Sequence, residues 1–360
     1  MERFAMKTEV ICGENTLEIL TESRGASFLL VTDPVLRRSS GVKWILDAVR
    51  PGSAAFFDTV TPEPTIRQAV EGARFLDTVK PELVVAFGGE DVLNCARAMV
   101  CFAKHPCPLT VIPTAPGSLG EVSGSVALFH NGQLHRLQGE RMRPRQVILD
   151  VRFYQGEQGR KMAEGGFRLL AGALEAFTGR NAGMMTNLYG KEAFSSGWAV
   201  LPGAFSGKMG SRKRLQLASV MGCIAVDHAG QGLCAALCGV LEGLFHVSSG
   251  RLSAILLPAV VGFNGEAAGG RYTELSRSAG LGGSNDIMGV RNLRNGLVRL
   301  RRELGLPGTL AQAGIPPGRV WGDVGKIVDR TLADPECRNN PVTVDDYVVR
   351  RILEEVTGRY

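Results

Sequence analysis

Apolar runs alternate with helical segments through the first part of the chain, and no other feature limits its possible folds as strongly. Four runs are typical of buried strands, at residues 28–32, 54–57, 83–87 and 109–112. Helical periodicity lies between them, with helices predicted around Trp44, over 64–79 and over 91–102. Strands joined through helices predict a parallel sheet with right-handed crossovers, a Rossmann-like α/β domain.

The rest of the chain follows a different pattern. Residues 126–137, interrupted by Asn131-Gly132, predict a β-hairpin on the α/β core, and residues 147–149 return to the sheet. Helical periodicity then recurs at 166–178, 212–228, 232–245, 252–263, 289–304 and 343–357. The sequence therefore predicts an α/β domain of residues 1–155 and an all-α domain of residues 156–360. A cleft between the two domains is the expected ligand site.

The composition excludes several classes of function. The chain has 41 basic and 35 acidic residues, and the resulting net charge of +6 is too small to indicate nucleic acid. No apolar run reaches membrane-spanning length, no signal peptide opens the sequence, and the eight cysteines show no paired spacing. These features predict a cytoplasmic protein without disulfides and without membrane or nucleic-acid partners.

Several stretches, in order along the chain, resemble the iron-containing alcohol dehydrogenase family (group III, with the dehydroquinate synthase-like fold). They are residues 57–89, residues 111–123 (VIPTAPGSLGEVS), residues 232–264 and residues 332–343 (LADPECRNNPVT). The resemblance covers nearly the whole chain. It implies the two-domain fold given above and a hydride transfer between a nicotinamide and an alcohol or aldehyde at a divalent metal.

The same resemblance identifies the positions that would hold this metal. The family's Asp and His ligands on one helix correspond to Arg168 and Gly172, and its two further His ligands correspond to Ala235 and Ser249. An Arg keeps its proton and cannot coordinate a cation, and the other three residues offer neither imidazole nor carboxylate. We therefore expect neither iron nor zinc.

A different metal site is the alternative to this loss. Cys234 and Cys238 lie one helical turn apart, and His228 and His246 flank them in the sequence. A single C-x-x-x-C pair is a weak signal, because buried cysteines commonly serve as small core residues.

The resemblance implies a nucleotide site that has also changed. Its retained residues are Asp33, Gly88, Gly89, Thr114 and Ser118. Glu90 and Asp91 stand where the family has Gly and Ser, and they put negative charge beside the expected pyrophosphate, with Asp91 predicted to cap the helix. From these changes we expect no cofactor, or at most weak binding of NAD(P).

Three hypotheses of function follow from this combination. The first is a catalytically inactive paralogue with a binding or assembly role, as a homodimer or as a hetero-oligomer with a related, active dehydrogenase. The second is a metal-independent NAD(P)-linked alcohol or aldehyde oxidoreductase in which Arg168 acts as the electrophile. The third is a sensor that binds a small anion or a nucleotide in the inherited cleft. The sequence does not decide whether a bacterial microcompartment encloses the protein.

Overall fold

The structure of the chain is a computed structural model, and it describes residues 4–155 and 159–358. The chain divides into two compact units, one of Ala5–Glu157 and one of Gln158–Tyr360 together with Met1–Phe4. The predicted domain boundary between residues 155 and 156 falls at residues 156–158, which lie outside the described residues. The parallel sheet and the helical region that follows it are confirmed.

A six-stranded parallel sheet forms the centre of the first unit. The strands of this unit are β1 (Glu9–Cys12), β2 (Ser27–Val31), β3 (Ser53–Phe57), β4 (Leu83–Gly88), β5 (Leu109–Pro113), β6 (Ser125–His130), β7 (Gln133–Gln138) and β8 (Gln146–Leu149). Across the sheet the order is β1-β8-β5-β4-β2-β3, and every pairing in it is parallel. Strands β4 and β5 are buried along their whole length, as expected of a parallel sheet with both faces covered.

The helices of this unit connect the strands, and a hairpin lies beside them. The helices are α1 (Ser40–Val49), α2 (Ile66–Val79) and α3 (Glu90–Phe102). Strands β6 and β7 pair antiparallel through a turn at Asn131 and Gly132, whose φ angles of 50° and 69° are both positive. A two-residue hairpin turn of this kind requires positive φ at both central residues, so the Asn-Gly signal identified it correctly.

The second unit is helical throughout its described secondary structure. Its helices are α4 (Gly159–Thr178), α5 (Met184–Phe205), α6 (Met209–Ala229), α7 (Leu233–Phe245), α8 (Ser249–Ser278), α9 (Asp286–Glu303), α10 (Pro317–Gly322), α11 (Val324–Ala333), α12 (Pro335–Asn339) and α13 (Asp346–Thr357). Helix α8 is long and apolar enough to cross a membrane, but 72% of its most apolar segment is buried inside the structure. It is therefore the central core helix of this unit.

Helix α4 packs closely against its neighbours because small residues line the contacts. Gly166 faces the side chain of Leu201 on α5, and a Cβ at Gly190 would lie 3.2 Å from the carbonyl oxygen of Ala173. At the first turn of α8, a Cβ at Gly250 would fall on the backbone carbonyl of Glu164. The beginning of α8 can therefore approach α4 only because position 250 has no side chain.

Replacing Gly250 by Ala should destabilise the helical unit by about 1–3 kcal/mol, because the added methyl meets rigid backbone of another helix. The matched control is Gly210→Ala. Gly210 is likewise the second residue of its helix, and a Cβ there would meet nothing within 4 Å. The control should leave stability unchanged or raise it slightly, since Ala is the better helix former. Urea denaturation followed by circular dichroism measures both, and equal midpoints for the two variants would contradict this packing.

Candidate functional site

Strands β2 and β4 are neighbours in the sheet, and their connections lead to opposite sides. The chain leaves β2 for β3 on one side and leaves β4 for β5 on the other. At such a switch point the loops diverge outside the carboxyl ends of the two strands, and the crevice between them is where open α/β sheets bind nucleotides. Asp33, Gly88, Gly89 and Thr114 all lie at this edge.

The turn from β4 into α3 keeps the backbone accessible. A Cβ at Gly88 would lie 2.6 Å from Val92, whereas a Cβ at Gly89 would meet nothing within 4 Å. Gly89 is the residue that precedes the first turn of α3, and it caps that turn without a side chain. This corrects the expectation that Asp91 is the cap, because Glu90 and Asp91 instead occupy the first helical turn and are half-buried. The open end of α3 fits a pyrophosphate, because helix N-termini present N–H groups and a positive dipole end to anions.

The other predicted nucleotide residues fix the loops around this crevice. The Asp33 carboxylate accepts hydrogen bonds from the backbone N–H groups of Val35 and Leu36, both at 2.8 Å. Thr114 N–H donates to the carbonyl oxygen of Gly88 at 3.0 Å, which joins the ends of β4 and β5. Ser118 lies further along the loop after β5, and its hydroxyl accepts from the N–H of Gly120 at 3.3 Å.

The sequence reasoning missed one residue that holds this loop. Arg97, on α3, is completely buried, and its guanidinium donates a hydrogen bond to the carbonyl oxygen of Gly120. A charged side chain is rarely buried unless it is satisfied by specific partners. An Arg within the otherwise apolar stretch of α3 was the only signal available in the sequence.

The four positions that correspond to the family's metal ligands lie on three helices that pack together. Arg168 and Gly172 are on α4, Ala235 is in the first turn of α7, and Ser249 begins α8. Gly172, Ala235 and Ser249 are buried, and Arg168 is half-buried. The four positions therefore lie on neighbouring helices of the second unit.

The residues at these positions do not fit the family's metal. They offer a guanidinium, a hydrogen, a methyl group and a hydroxyl, and none of these is a usual ligand of iron or zinc. Within residues 4–155 and 159–358, no group of three or more His, Cys, Asp or Glu side chains is placed to hold an ion. We therefore assign these four side chains no role in a reaction step that requires a bound metal.

The cysteine pair near these positions is a buried thiol pair. A hydrogen bond to Cys238 and burial raise the pKa of Cys234 well above its ordinary value, and nearby Arg168 offsets this only in part. The Cys238 sulfur also lies 3.5 Å from the hydroxyl of Ser253 and 3.8 Å from the carbonyl oxygen of Ser249. Because the thiolate is the form that binds metal, the raised pKa of Cys234 disfavours the alternative metal site.

Glu175 is a second residue for which the sequence pattern indicates no role. It is fully buried on α4, and its carboxylate accepts hydrogen bonds from the backbone N–H groups of Cys234 at 2.7 Å and Ala235 at 3.1 Å. It therefore caps the N-terminus of α7 from a neighbouring helix. Burial raises the pKa of Glu175 to about 7, although these hydrogen bonds oppose the shift.

The raised pKa predicts a pH-dependent stability that Glu175→Gln should remove. The pKa is about 7 in the folded protein and 4.5 for the ordinary side chain. Protonation therefore stabilises the fold fully below pH 4.5, and this stabilisation is lost as the pH rises through 7. The unfolding free energy of the wild type minus that of Glu175→Gln should fall over this interval by up to about 1.4 kcal/mol per pH unit.

Denaturant titrations at several pH values would measure this difference. Glu354→Gln, on the exposed face of α13, is the control and should follow the wild type at each pH. A difference that stays constant between pH 4 and 8 would show that folding does not shift the pKa of Glu175.

Comparison with known proteins gives relatives along the whole chain. The 1-propanol dehydrogenase PduQ of Citrobacter freundii is 27% identical over 372 residues, covering 99% of this chain and 100% of its own. The lactaldehyde reductase of Escherichia coli (strain K12) is 22% identical, covering 89% of this chain and 90% of its own.

Solved structures show the same fold. A 1,3-propanediol oxidoreductase superposes with a TM-score of 0.92 at 21% identity, covering 98% of this chain and 99% of its own. The sulfoacetaldehyde reductase of Bifidobacterium kashiwanohense, solved in complex with NAD+, superposes with a TM-score of 0.86 at 19% identity, and each chain is covered over 98% of its length.

These findings overturn the expectation about cofactors. We expected no cofactor, at most weak NAD(P), and neither iron nor zinc. The chain matches an iron-containing group of proteins, and a protein of the same fold was solved with NAD+, so this expectation is wrong. The expectation of weak nucleotide binding gave too much weight to the negative charge of Glu90 and Asp91 and too little to the glycine turn that precedes them. Gly89 still leaves the N-terminal end of α3 accessible.

Two family profiles match, one for each half of the chain. Residues 7–151 match the profile described as iron-containing alcohol dehydrogenase, and residues 162–357 match that of the C-terminal part of the same family. Together they account for nearly all of the 360 residues. The chain therefore belongs to the iron-containing alcohol dehydrogenase family.

Proposed function

We propose that this protein binds a nicotinamide dinucleotide in the crevice between β2 and β4 and acts as a binding or assembly subunit rather than as an alcohol dehydrogenase. One juxtaposition carries the proposal. The crevice keeps an accessible glycine turn at the N-terminal end of α3. The four positions that correspond to the family's metal ligands are occupied by Arg168, Gly172, Ala235 and Ser249. Binding and metal-assisted hydride transfer need different residues, and the glycine turn supports binding, while the four side chains offer no usual metal ligand.

Each nucleotide-facing residue would have a defined task. The N–H groups at the start of α3 would hold the pyrophosphate, with Gly88 and Gly89 allowing its approach. The loop after β2, fixed by Asp33, would lie beside the adenosine ribose. When bound, the nicotinamide supplies a site that accepts or donates hydride, and the side chains at positions 168, 172, 235 and 249 offer no usual ligand for a metal that would polarise a substrate oxygen.

An assembly role requires a partner. We propose a second copy of this chain or a related, active dehydrogenase, located in the cytoplasm. The relative PduQ is named as a 1-propanol dehydrogenase, so a dehydrogenase of short alcohols is the partner that fits the resemblance.

A second candidate function is a metal-independent NAD(P)-linked oxidoreductase of short alcohols or aldehydes. Arg168 favours it, because this guanidinium stands half-buried at the position of a metal ligand and beside Cys234. An Arg remains charged at any ordinary pH and can donate hydrogen bonds to a carbonyl oxygen that gains negative charge. The residue would then replace the metal as the electrophile.

Turnover with defined substrates separates the two candidates. The proposed function predicts that the protein binds NAD+ or NADP+ but does not oxidise 1-propanol or reduce propanal and lactaldehyde, with or without added Fe²⁺ or Zn²⁺. Nicotinamide-linked turnover above about 1 s⁻¹, an ordinary enzymatic rate, would instead establish an oxidoreductase.

If turnover is found, Arg168→Ala decides the role of the guanidinium. A direct electrophile predicts a loss of about 10²–10³-fold in kcat with nucleotide affinity unchanged. Arg160→Ala, two turns earlier on α4 and mostly exposed, is the matched control and should keep full activity. Metal-dependent turnover that survives Arg168→Ala would refute both candidates.

The first turn of α3 generates a separate prediction about affinity. The double variant Glu90→Gln with Asp91→Asn should bind NAD+ about three- to tenfold more tightly than the wild type. Two carboxylates beside the pyrophosphate repel it, and partial screening by solvent keeps this repulsion moderate. Isothermal titration calorimetry at low and at physiological salt would measure the change, and added salt should reduce it.

The control for this variant is Asp286→Asn. Asp286 is also a first-turn acid of a helix, α9, but belongs to the other unit, so NAD+ affinity should not change. Weaker binding in Glu90→Gln with Asp91→Asn would show that these carboxylates contact the nucleotide favourably.

A further inference from the structure

A groove lies at the amino-terminal edge of the sheet, at the opposite ends of the strands from the nucleotide crevice. Strands β1, β8 and β5 begin side by side there. Glu9 N–H donates to the carbonyl oxygen of Arg145, and Arg145 N–H donates to that of Leu109, both at 2.9 Å. The groove encloses a volume of about 450 Å³, which is within the range of small-molecule sites.

The charge of this groove is strongly positive. Among the residues that the structure describes, four basic residues and one acidic residue, Glu140, line it. The basic residues are Lys7, Arg141, Arg143 and Arg145. Lining charges of one sign attract and concentrate ligands of the opposite sign. The groove therefore selects an anion.

Contacts among the described residues anchor two of these cations, hold a third weakly and leave one available. The Arg141 guanidinium donates to the carbonyl oxygens of Val100 and Ala103, so it is anchored on the C-terminal end of α3. Lys7 pairs with Glu140 at 2.7 Å, but both side chains are more than half exposed, and such a surface pair holds its members only weakly.

Arg143 and Arg145 complete this arrangement. Arg143 is largely buried and donates to the carbonyl oxygen of Val122 at 2.6 Å. Arg145 is exposed, and among the described residues no side-chain hydrogen bond or ion pair engages its guanidinium. The groove thus combines anchored guanidinium groups with one that is available to a ligand.

The remaining walls are apolar and rigid. Val100 and Leu109 contribute hydrocarbon surface, and three prolines at positions 106, 108 and 144 also line the groove. Proline fixes its own φ angle, so these walls lose little conformational freedom when a ligand binds. A ligand that fills this space therefore carries an apolar part as well as its negative charge.

We propose that this groove is a binding site for an organic phosphate monoester, separate from the nucleotide crevice. A phosphate monoester bears close to two negative charges and three acceptor oxygens, which suits a groove lined by several basic residues better than a single carboxylate does. Its organic part would lie against Val100 and the proline walls. The inference does not depend on the proposed function, because the two sites share no residue.

Calorimetric titration with three probes tests the chemistry of the site. Phenyl phosphate should bind at one site per chain, at least about tenfold more tightly than inorganic phosphate, which lacks the apolar part, and than benzoate, which carries one charge. Its affinity should be the same in the presence of saturating NAD+. Equal affinities for phenyl phosphate and inorganic phosphate would overturn the monoester assignment.

Variants test the location. Arg145→Glu keeps the backbone hydrogen bonds of this residue and should weaken phenyl phosphate at least about tenfold, and Lys7→Gln should weaken it less. Arg291→Glu, an exposed Arg on α9 of the other unit, is the matched control and should bind as the wild type does. The proposal would be overturned if phenyl phosphate showed no saturable binding or if NAD+ competed with it. It would also be overturned if Arg145→Glu bound phenyl phosphate with wild-type affinity, or if Arg291→Glu lost as much affinity as Arg145→Glu.

Discussion

Two carboxylates on helix α4 hold the beginnings of two other helices, and the geometry of the helical unit depends on them. Glu175 accepts the N–H groups that open α7, and Glu164 accepts from Ser248 and Arg251 at the start of α8. Burial opposes ionisation of Glu164, but the hydrogen bond from Ser248 and the guanidinium groups of Arg251 and Arg160 lower its pKa below the ordinary value, so it remains ionised. Between these two carboxylates lie the α4 positions of the family's metal ligands. Helix α4 therefore carries both positions between the two carboxylates that anchor α7 and α8.

The sequence predicted elements with a clear local pattern and missed those defined by their surroundings. The alternation of β2, β4 and β5 with helices, and the Asn131-Gly132 turn, were confirmed because propensity and burial agree there. Strand β1 was missed, since four residues with exposed ends show no run, and it exists only through its pairing with β8. Helix α5 was missed because it contains Pro202 and shows little amphipathic pattern. Only the first half of α8 was predicted, since polar residues follow Phe263.

The sequence predicted the placement of four candidate nucleotide residues, but not the local geometry of the helix that begins beside them. Asp33, Gly88, Gly89 and Thr114 do meet at one edge of the sheet, because parallel strands end together. The pattern could not show that α3 begins at Glu90, which moves both carboxylates into the first helical turn. There the two carboxylates interact favourably with the helix dipole and unfavourably with a phosphate. Their negative charge alone therefore does not decide whether a nucleotide binds. The roles of Arg97 and Glu175 could not be predicted from the local pattern, because they arise from burial by distant segments.

The buried Arg97 has a consequence for how a ligand would reach the crevice. Its guanidinium ties the loop after β5 to helix α3 through Gly120, so swinging that loop outward would break this buried, charge-assisted hydrogen bond. Such an opening would be rare on the timescale of a binding encounter. The crevice should consequently behave as a preformed receptor rather than as a gated one. Its association rate would then be set by diffusion and orientation, and differences in affinity between nucleotides would appear in how slowly they leave.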